Sequence, residues 1–356
     1  MTWGYLPDDP VGGSARFPNV EEDSPLKLPK ILTRSAVCAG LLFVLPSAAW
    51  SQGTSGAASL NITPGARADA MGRANVALSQ DATSNWWNPS ALAAVDERIF
   101  SLMHTQLVPD LADDVYYEYL GYAQHVEGWG GVGVGLIFLT YGKSIATDEE
   151  GRERGTFSSY ELSPSISLGT EVAPGLSAGI TLKYVYVSLA PKEFTLDGEA
   201  GTGDTFAADL GALYHLEVIP EMPLHLGVNV QNLGPDISFI DEDQSDPIGR
   251  NLKTGIGVES LHFDPFRMAF EFDVNKSLIY SDEKPIYNVG FEAFFRSTGE
   301  FAGALRAGYI HDKDGDIIDP TFGFGIGLGG LAFDYASVPQ AEGLDRVSKF
   351  SLNYRF

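Results

Sequence analysis

The sequence has little cysteine, few basic residues and no long apolar run. One of its 356 residues is cysteine, and 23 Lys or Arg stand against 47 Asp or Glu, which gives a formal net charge of -24. This shortage of basic residues argues against a nucleic-acid partner, which needs a basic face. No uninterrupted apolar stretch reaches the roughly 18–20 residues of a membrane-spanning helix. Hydrophobic residues still make up 44% of the chain, too many for a disordered acidic protein.

The lone cysteine, Cys38, lies in a segment with the pattern of a secretory signal peptide. An apolar stretch at 36–45 is followed by small residues at 47–51 and preceded by three basic residues, Lys27, Lys30 and Arg34. A basic start, an apolar centre and a small-residue exit are the parts of such a signal. We predict cleavage after Ser51, so that residues 1–51, a short extension plus the signal, are removed. The mature chain then holds no cysteine, which suits export through an oxidising periplasm.

From about Ile99 to Phe356 the chain alternates large apolar residues with small or polar ones, in stretches of about ten separated by Gly, Pro and Asp-rich turns. A strand that crosses a bilayer needs roughly 9–11 residues, whose side chains face lipid and interior by turns. We therefore predict an all-β fold, an antiparallel transmembrane β-barrel of about 14 strands over residues 98–356. The predicted strands are 98–107, 115–126, 131–142, 157–168, 176–189, 205–217, 223–233, 250–260, 266–275, 286–296, 301–311, 319–328, 330–337 and 346–356.

The alternation also predicts which side chains face the lumen. In 176–186, Ile180 and Leu182 lie on one face while Thr181 lies on the other. Charged side chains on these strands would be costly against lipid, so we place four of them in the lumen: Lys183, Arg267, Glu271 and Arg306. The competing fold is a soluble β-sandwich, for which strands of about 5–6 residues suffice. Strands of this length behind a signal peptide favour the membrane barrel.

Residues 52–97 have a different pattern. They are too polar to span a membrane and too short to fold alone, and we predict that they form a plug inside the periplasmic end of the barrel. Thr63 before Pro64 is typical of a helix N-cap followed by proline at the first helical position. A stripe of small residues that could lie close against a wall follows: Ala66, Ala70, Ala74 and Ala77.

Two motifs resemble the PorV/PorQ family of outer-membrane barrels, which are akin to the FadL long-chain fatty-acid transporters. The first is the stretch 66–81 together with 87–93, and the second is the ending 333–356. The motif residues in the predicted plug are Arg67, Met71, Gly72, Asp81, Trp87, Asn88 and Pro89. Two positions depart from the family pattern: Arg73 stands where a second glycine is usual, and Ser90 where alanine is usual.

The resemblance implies a FadL-like barrel with an N-terminal plug. Some family members serve the type IX secretion system, binding exported cargo and passing it to surface-attachment machinery. It thus implies outer-membrane lipid, exported cargo proteins and secretion-system components as partners, in the bacterial outer membrane. The alternatives are a conduit for a hydrophobic small-molecule ligand and a structural barrel without transport. A continuous apolar pocket would favour the conduit, and a filled polar lumen would favour protein docking.

Three connections are candidates for partner contact: 143–156, 191–204 and 234–249. The third supplies apolar residues beside an acidic run, a composition that suits docking when the residues are exposed. Its candidate contact residues are Pro235, Ile237, Phe239 and Ile240. At the C-terminus, Tyr354 and Phe356 are candidates for the barrel-assembly signal.

The sequence gives little support to catalysis. None of the six histidines stands in a His-x-x-x-His pair or in a nucleophile motif, and no Gly-x-Ser-x-Gly occurs. The acidic stretch 312–319 superficially resembles a calcium loop, but its register is wrong for one and a hairpin turn explains it as well. We therefore predict no enzyme activity, no metal and no cofactor. The pair Trp86–Trp87 could anchor at a membrane interface, stack on a ligand or, as the resemblance favours, pack Trp87 against the inner wall.

Overall fold

The computed structural model describes residues 55–356 except 110, 149, 196–197, 220–221, 240–244, 264, 298–300 and 342–343. The predicted signal peptide, residues 1–51, lies outside the described residues, as does Ile240 of the third candidate loop. Among the described residues no helix has the length and apolar character needed to cross a membrane.

Fourteen antiparallel strands form a closed barrel. Each strand is hydrogen-bonded to the next barrel strand along the chain, and the last strand pairs with the first. The strands are β1 (Ile99–Gln106), β2 (Val115–Val126), β3 (Gly130–Thr147), β4 (Glu153–Ala173), β5 (Leu176–Ala190), β6 (Gly201–Ile219), β7 (Met222–Leu233), β10 (Asn251–Phe263), β11 (Phe266–Ser277), β12 (Ile286–Arg296), β13 (Phe301–Asp312), β14 (Ile317–Leu328), β15 (Leu331–Val338) and β16 (Val347–Arg355). The loop between β7 and β10 carries a separate two-residue pair, β8 (Ile237–Ser238) and β9 (Ser245–Asp246). The predicted fold class and strand number are confirmed.

The pleat of the strands separates an apolar outer face from a polar inner face. On β5, Ile180 is 40% exposed and Leu182 is 53% exposed. Thr181, which lies between them, and Lys183, which follows Leu182, are buried. The same pattern on the other strands buries Glu271 and Arg306, and the predicted lumen placement of these charges is confirmed. Apolar side chains therefore face the hydrocarbon, and charged ones face inward.

The two ends of the barrel differ in the length of their connections. The turns between β4 and β5 and between β14 and β15 hold two residues each and lie at the end where the chain enters β1 and leaves β16. The connections at the opposite end, such as 191–200 and 278–285, are longer. Outer-membrane barrels have short periplasmic turns and longer extracellular loops. This rule places the long-loop end outside the cell.

Within residues 55–98, which the structure describes, four short helical turns precede β1. They are a 3-10 turn at Ala58–Asn61, α1 (Ala66–Ala70), α2 (Ser84–Trp87) and a 3-10 turn at Pro89–Ala94. The expected N-cap at Thr63 is wrong: α1 begins after Gly65, whose φ of 95° is not helical. The Thr63 hydroxyl instead donates to Asp69 Oδ1 at 2.7 Å. Because glycine readily takes positive φ, the chain can turn at Gly65 and start the helix at Ala66.

The lipid-facing row gives a prediction for membrane insertion. Leu305 of β13 is 70% exposed near the middle of its strand. Leu305→Arg should lower the free energy of unfolding in phospholipid bilayers by about 2–4 kcal/mol, because an outward charge then meets hydrocarbon. The matched control is Ile145→Arg, since Ile145 is 58% exposed close to the extracellular end of β3. Urea titration in vesicles checks both, and equal losses would contradict the assigned depth.

Candidate functional site

The residues before β1 run through the lumen of the barrel. We call residues 55–97 the inner segment. It makes hydrogen bonds to strands on all sides of the wall: Asn85 Nδ2 donates to Val134 O on β3, Thr321 Oγ1 on β14 donates to Ala70 O, and Asn229 Nδ2 on β7 donates to Trp87 O. One chain segment can contact opposite walls of a closed barrel only from inside it.

The inner segment extends further than we expected from the sequence. Its first residues reach the long-loop end, where the backbone N–H groups of Ala58 and Ser59 donate to the Glu161 carboxylate at 3.1 and 2.9 Å. Gly56 N–H donates to Pro247 O of the loop between β7 and β10. A location confined to the periplasmic end is therefore wrong for these residues. The polar residues of this stretch find their acceptors on the extracellular half of the wall.

Arg67 ties the inner segment to the wall through a buried ion-pair chain. Its guanidinium donates to both oxygens of Glu292, at 3.0 and 3.1 Å, and to Asn75 Oδ1 at 3.0 Å. Glu292 also accepts from Arg306 at 2.5 Å, and Arg306 donates to Asp334 Oδ1 at 2.6 Å. Two cations thus balance two carboxylates across β12, β13 and β15, and Arg67 supplies the link from the inner segment.

Two carboxylates of β11 hold the backbone of the inner segment. Asp273 Oδ2 accepts from the N–H groups of Asn75 and Val76 at 2.8 and 3.0 Å. Glu271 Oε1 accepts from the N–H groups of Ala77 and Leu78 at 2.6 and 3.3 Å. Four successive N–H groups that lie outside any helix or strand are satisfied in this way, which a buried backbone requires.

Residues 72 and 73 both adopt a left-handed backbone conformation. Gly72 has a φ of 69°, and a Cβ there would lie 2.5 Å from Val289 O and 2.6 Å from Tyr309 N. Arg73 has a φ of 65°, which is unfavourable for a residue with a Cβ. This explains why a second glycine is usual in the family motif. Arg73 Nε lies 3.4 Å from Asp69 Oδ1, and Asp69 also pairs with Lys349 at 2.6 Å.

The Trp-Asn-Pro motif packs against the wall. Trp87 is fully buried beside Met103, Tyr117 and Leu139 of the first three strands, and its indole N–H donates to Pro64 O at 2.9 Å. Asn88 Oδ1 accepts from Ser90 N at 3.2 Å, which caps the 3-10 turn that follows. Of the other predicted plug residues, Met71 lies against Gly290, while Asp81 accepts from Thr83 within the inner segment. That this motif seals the barrel stays a prediction.

Glycines line the inner wall wherever the inner segment comes closest. A Cβ on Gly179 would lie 2.3 Å from Pro89 C, one on Gly211 would lie 2.2 Å from Asn88 Oδ1, and one on Gly308 would lie 2.0 Å from Gly72 N. Real Cβ atoms do not approach other atoms this closely, so larger side chains would push the inner segment off the wall. The glycines are therefore part of the packing between wall and inner segment.

Above the inner segment, a cavity of about 830 Å³ lies beneath the long loops. We call it the vestibule. Polar side chains line its lower part, with Arg73, Trp86 and Lys253 at the level of the inner segment. Its outer part is lined by charged residues of the long-loop end, namely Asp282, Glu283, Asp312, Asp314, Lys284 and Arg250. The Lys284 backbone N–H, together with its ammonium 3.2 Å away, lowers the pKa of the Asp314 carboxyl.

The candidate partner loop is less exposed than predicted. Ile237 is fully buried against Ala57, Leu60 and Ile248, so its expected exposure is wrong. The loop folds back over the barrel mouth, where it covers the start of the inner segment and removes this apolar side chain from water. Pro235 is exposed and Phe239 is partly buried. A role for this loop in partner contact stays a prediction.

The aromatic C-terminus faces outward at the end with short turns. Tyr354 and Phe356 are 47% and 55% exposed, and their rings stack with centroids 5.3 Å apart. The guanidinium of Arg98 lies 5.9 Å from the Phe356 ring centroid. This pair sits where β16 meets β1 and closes the barrel. Its use as an assembly signal stays a prediction.

The ion-pair chain predicts a large effect of removing Arg67. Arg67→Met should destabilise the folded barrel by about 3–5 kcal/mol, because Glu292 is left buried with half of its cationic partners. Arg152→Met is the control, since Arg152 pairs with Asp148 and Glu150 on an exposed hairpin, where ion pairs contribute little. Heat-modifiable migration on gels over a temperature series measures both, and an unchanged transition for Arg67→Met would contradict the ion-pair account.

The glycines of the inner wall predict a steric effect of substitution on β5. Gly179→Ala should destabilise the barrel by about 1–3 kcal/mol, because the new methyl group meets the Pro89 backbone. Gly303→Ala is a matched control, as the nearest atom to its added Cβ is 4.0 Å away. Thermal unfolding in detergent, followed by circular dichroism, compares the two variants. The steric account fails if the two variants unfold alike.

Comparison with known proteins agrees with this architecture. The family model described as "Type IX secretion system protein PorV" matches residues 49–284, more than half of the chain. No curated protein sequence matches. Two crystal structures share the fold: the toluene transporter TodX of P. putida, with a TM-score of 0.51, and the toluene transporter TbuX of Ralstonia pickettii, with a TM-score of 0.52. Each is 14% identical to this chain, and each match covers 82% of this chain and 98% of the transporter. The expected relationship and location are confirmed, and the chain belongs to the PorV family of bacterial outer-membrane β-barrels.

Proposed function

We propose that this barrel serves protein export of the type IX kind by binding exported polypeptides at its extracellular end. Family membership supports a place in that system. The partners in this proposal are exported cargo proteins and components of the secretion machinery, with outer-membrane lipid around the wall. The barrel would act as a docking protein, with no catalytic step of its own.

The observation that carries the proposal is how the lumen is filled. The inner segment occupies it through buried ion pairs and through hydrogen bonds to opposite walls, including Arg67 to Glu292 on β12 and Asn85 to Val134 O on β3. The vestibule above it opens among the long loops, and most of the residues that line it are polar or charged, while Trp86, Ile279 and Ile286 add apolar surface. A site that is accessible from outside and floored by a tightly held segment suits docking better than passage.

The alternative function, a conduit for hydrophobic small molecules, rests on the fold shared with two toluene transporters. Ligand pockets for such molecules are lined mainly by hydrophobic and aromatic side chains. The vestibule instead mixes apolar surface with many charged and amide side chains, such as Asn251, Lys253 and Asn275. Since one fold hosts many functions, the lining is the better guide. We therefore favour docking.

The extracellular loops extend the docking surface beyond the vestibule. β3 and β4 are among the longest strands and form a tall hairpin that ends at Thr147 and Glu153. Phe194 of the next long loop stacks on Phe157 of this hairpin, with ring centroids 5.5 Å apart. Two of the three candidate connections, 143–156 and 191–204, thus support each other at the same end of the barrel. A fixed surface binds with less loss of conformational entropy than a loose one.

Co-purification tests the proposal. The barrel, tagged after the predicted cleavage site and extracted from outer membranes in mild detergent, should recover exported proteins, identified by mass spectrometry. Phe194→Ser should reduce the recovery several-fold, because it removes the stacking on Phe157 that positions two loops. Leu344→Ser is the matched control, an exposed apolar residue in another long connection. Recovery of lipid alone would contradict the docking role.

A further inference from the structure

Two histidines meet on the inner face of the wall near its periplasmic end. His215 of β6 and His225 of β7 are directly opposite each other in the strand pairing. Each lies an even number of residues from a glycine that contacts the inner segment, Gly211 on β6 and Gly227 on β7, so both side chains face the lumen. The His215 backbone N–H donates at 2.7 Å to Gly175 O, in the two-residue turn between β4 and β5. The pair therefore lies just inside the short turns.

The two imidazole rings are close enough to share one ligand. Their centroids lie 4.7 Å apart, and their planes make an angle of 65°. A zinc ion that binds one nitrogen of each ring at about 2.0–2.1 Å holds the two centroids roughly 5 Å apart. The strand pairing fixes this spacing, because directly opposite residues have Cβ atoms about 4.5–5.5 Å apart. The rings are thus already spaced as a chelating pair.

One ring nitrogen of the pair is buried and unused. His225 Nε2 has no hydrogen-bond partner among the residues that the structure describes. Packing of two rings explains their distance, but it leaves this nitrogen without a donor or an acceptor. A buried polar atom without a partner requires an explanation, and a bound ion or water is the usual one. A metal ion between the rings would use this nitrogen.

A carboxylate lies beside the pair. Glu259 of β10 is two residues beyond Gly257, which is opposite His225, so Glu259 is a diagonal neighbour of His225 on the same face. Its carboxylate lies 3.8 Å from Arg267 and accepts a hydrogen bond from Gln80 of the inner segment. A negative group at this distance favours a bound cation. It also connects the position of the cation to the inner segment.

The ligand set determines the class of metal. Over the described part of the chain, no three His, Cys, Asp or Glu side chains are arranged to hold a metal ion. Water must therefore fill the remaining coordination positions of an ion held by two imidazoles. Imidazole nitrogen suits zinc, copper and nickel, whereas calcium and magnesium take oxygen ligands.

We propose that His215 and His225 bind a divalent transition-metal ion of the zinc class at the periplasmic end of the lumen. The ion connects β6 to β7, and its charge faces the Glu259 carboxylate that holds Gln80. The site lies at the opposite end of the barrel from the vestibule, and it requires no exported partner. It is therefore independent of the proposed function.

The sequence predicts no metal because none of its histidines forms a His-x-x-x-His pair. His215 and His225 are ten residues apart along the chain, and only the pairing of β6 with β7 brings their rings together. A chelating pair across two strands has no fixed spacing in sequence, since the spacing depends on the position of the turn between the strands. The structure is needed to find it.

The test uses the full-length barrel, purified in detergent without a histidine tag and stripped of metal with EDTA. Zn²⁺ alone is the probe, titrated by calorimetry in excess Ca²⁺, which occupies sites made only of carboxylates. We expect one Zn²⁺ to bind per barrel. His215→Gln and His225→Gln should each weaken binding at least about tenfold, because a single imidazole cannot chelate. His125→Gln is the matched control, since His125 faces the lumen near the same end of β2 with Gly131 opposite.

A measurement on the unmodified barrel keeps the test valid if a histidine variant folds poorly. With Cu²⁺ in place of Zn²⁺, electron paramagnetic resonance should show hyperfine coupling to two ring nitrogens. Zn²⁺ should also raise the temperature of the heat-modifiable transition of the unmodified barrel, because the ion binds the pair only in the folded state. The same addition should leave the transition of a folded His225→Gln variant unchanged.

The outcomes separate this site from the proposed function. Copper without nitrogen coupling, or full zinc binding by a folded His225→Gln variant, overturns the metal site. An equal loss of binding in His125→Gln overturns the assignment to this pair. Co-purification of exported proteins tests docking alone. If zinc binds through the two histidines and no exported protein is recovered, the metal site stands and the export role fails.

Discussion

A barrel wall in hydrocarbon cannot point charge outward, and the rest of this structure depends on that constraint. Each strand alternates sides, so excluding charge from the outer face sends polar residues to the inner face. Lys183, Glu271 and Arg306 are all buried there. A narrow lumen filled with such groups must supply partners, because unpaired buried charges cost several kcal/mol. Other wall residues supply some of them, as Asp209 does for Lys183, and the inner segment supplies others through Arg67 and the N–H groups that Glu271 accepts. This explains why the inner segment is polar although it is surrounded by wall.

The inner segment in turn depends on the wall for its conformation. Its two α-helices hold five and four residues, far below the roughly 12–15 residues at which isolated helices become marginally stable. Between them, Glu271 and Asp273 hold four backbone N–H groups that no helix satisfies. Close contact is possible because wall positions such as Gly179 and Gly308 have no side chain. Wall and inner segment therefore form a single packing unit.

Much of this architecture follows from the sequence because a period of two residues is easy to recognise. It predicts the strands and the face on which Lys183 lies, and β2 and β12 begin and end where the alternation places them. It does not say which inner residues meet across the lumen, since Arg67 and Glu292 are far apart in sequence. Local propensity also misleads where the chain is irregular: Gly65 moves the start of α1, and the folded loop buries Ile237.

Arg73, which lines the lower part of the vestibule, had a sequence signal that only the structure explains. Arg73 departs from the glycine usual in the family motif, and its positive φ shows why glycine is the easier residue there. Lys253 gave no such signal, because an inward lysine on a strand has the same pattern as the paired Lys183. What distinguishes the two is the neighbourhood: Lys183 has Asp209, whereas Lys253 has two indole rings and open space.

The same fold can therefore serve passage or binding according to what its lumen holds. In this chain, buried ion pairs fix the inner segment below the vestibule, so a ligand that enters from outside meets a floor held in place by the wall. The surfaces that it meets carry charges of both signs, with Arg250 and Lys284 beside Asp282 and Asp314 among the loops, and Arg73 and Lys253 below them. A surface that is fixed in this way and carries charged groups suits the docking that we propose better than the passage of an uncharged hydrocarbon.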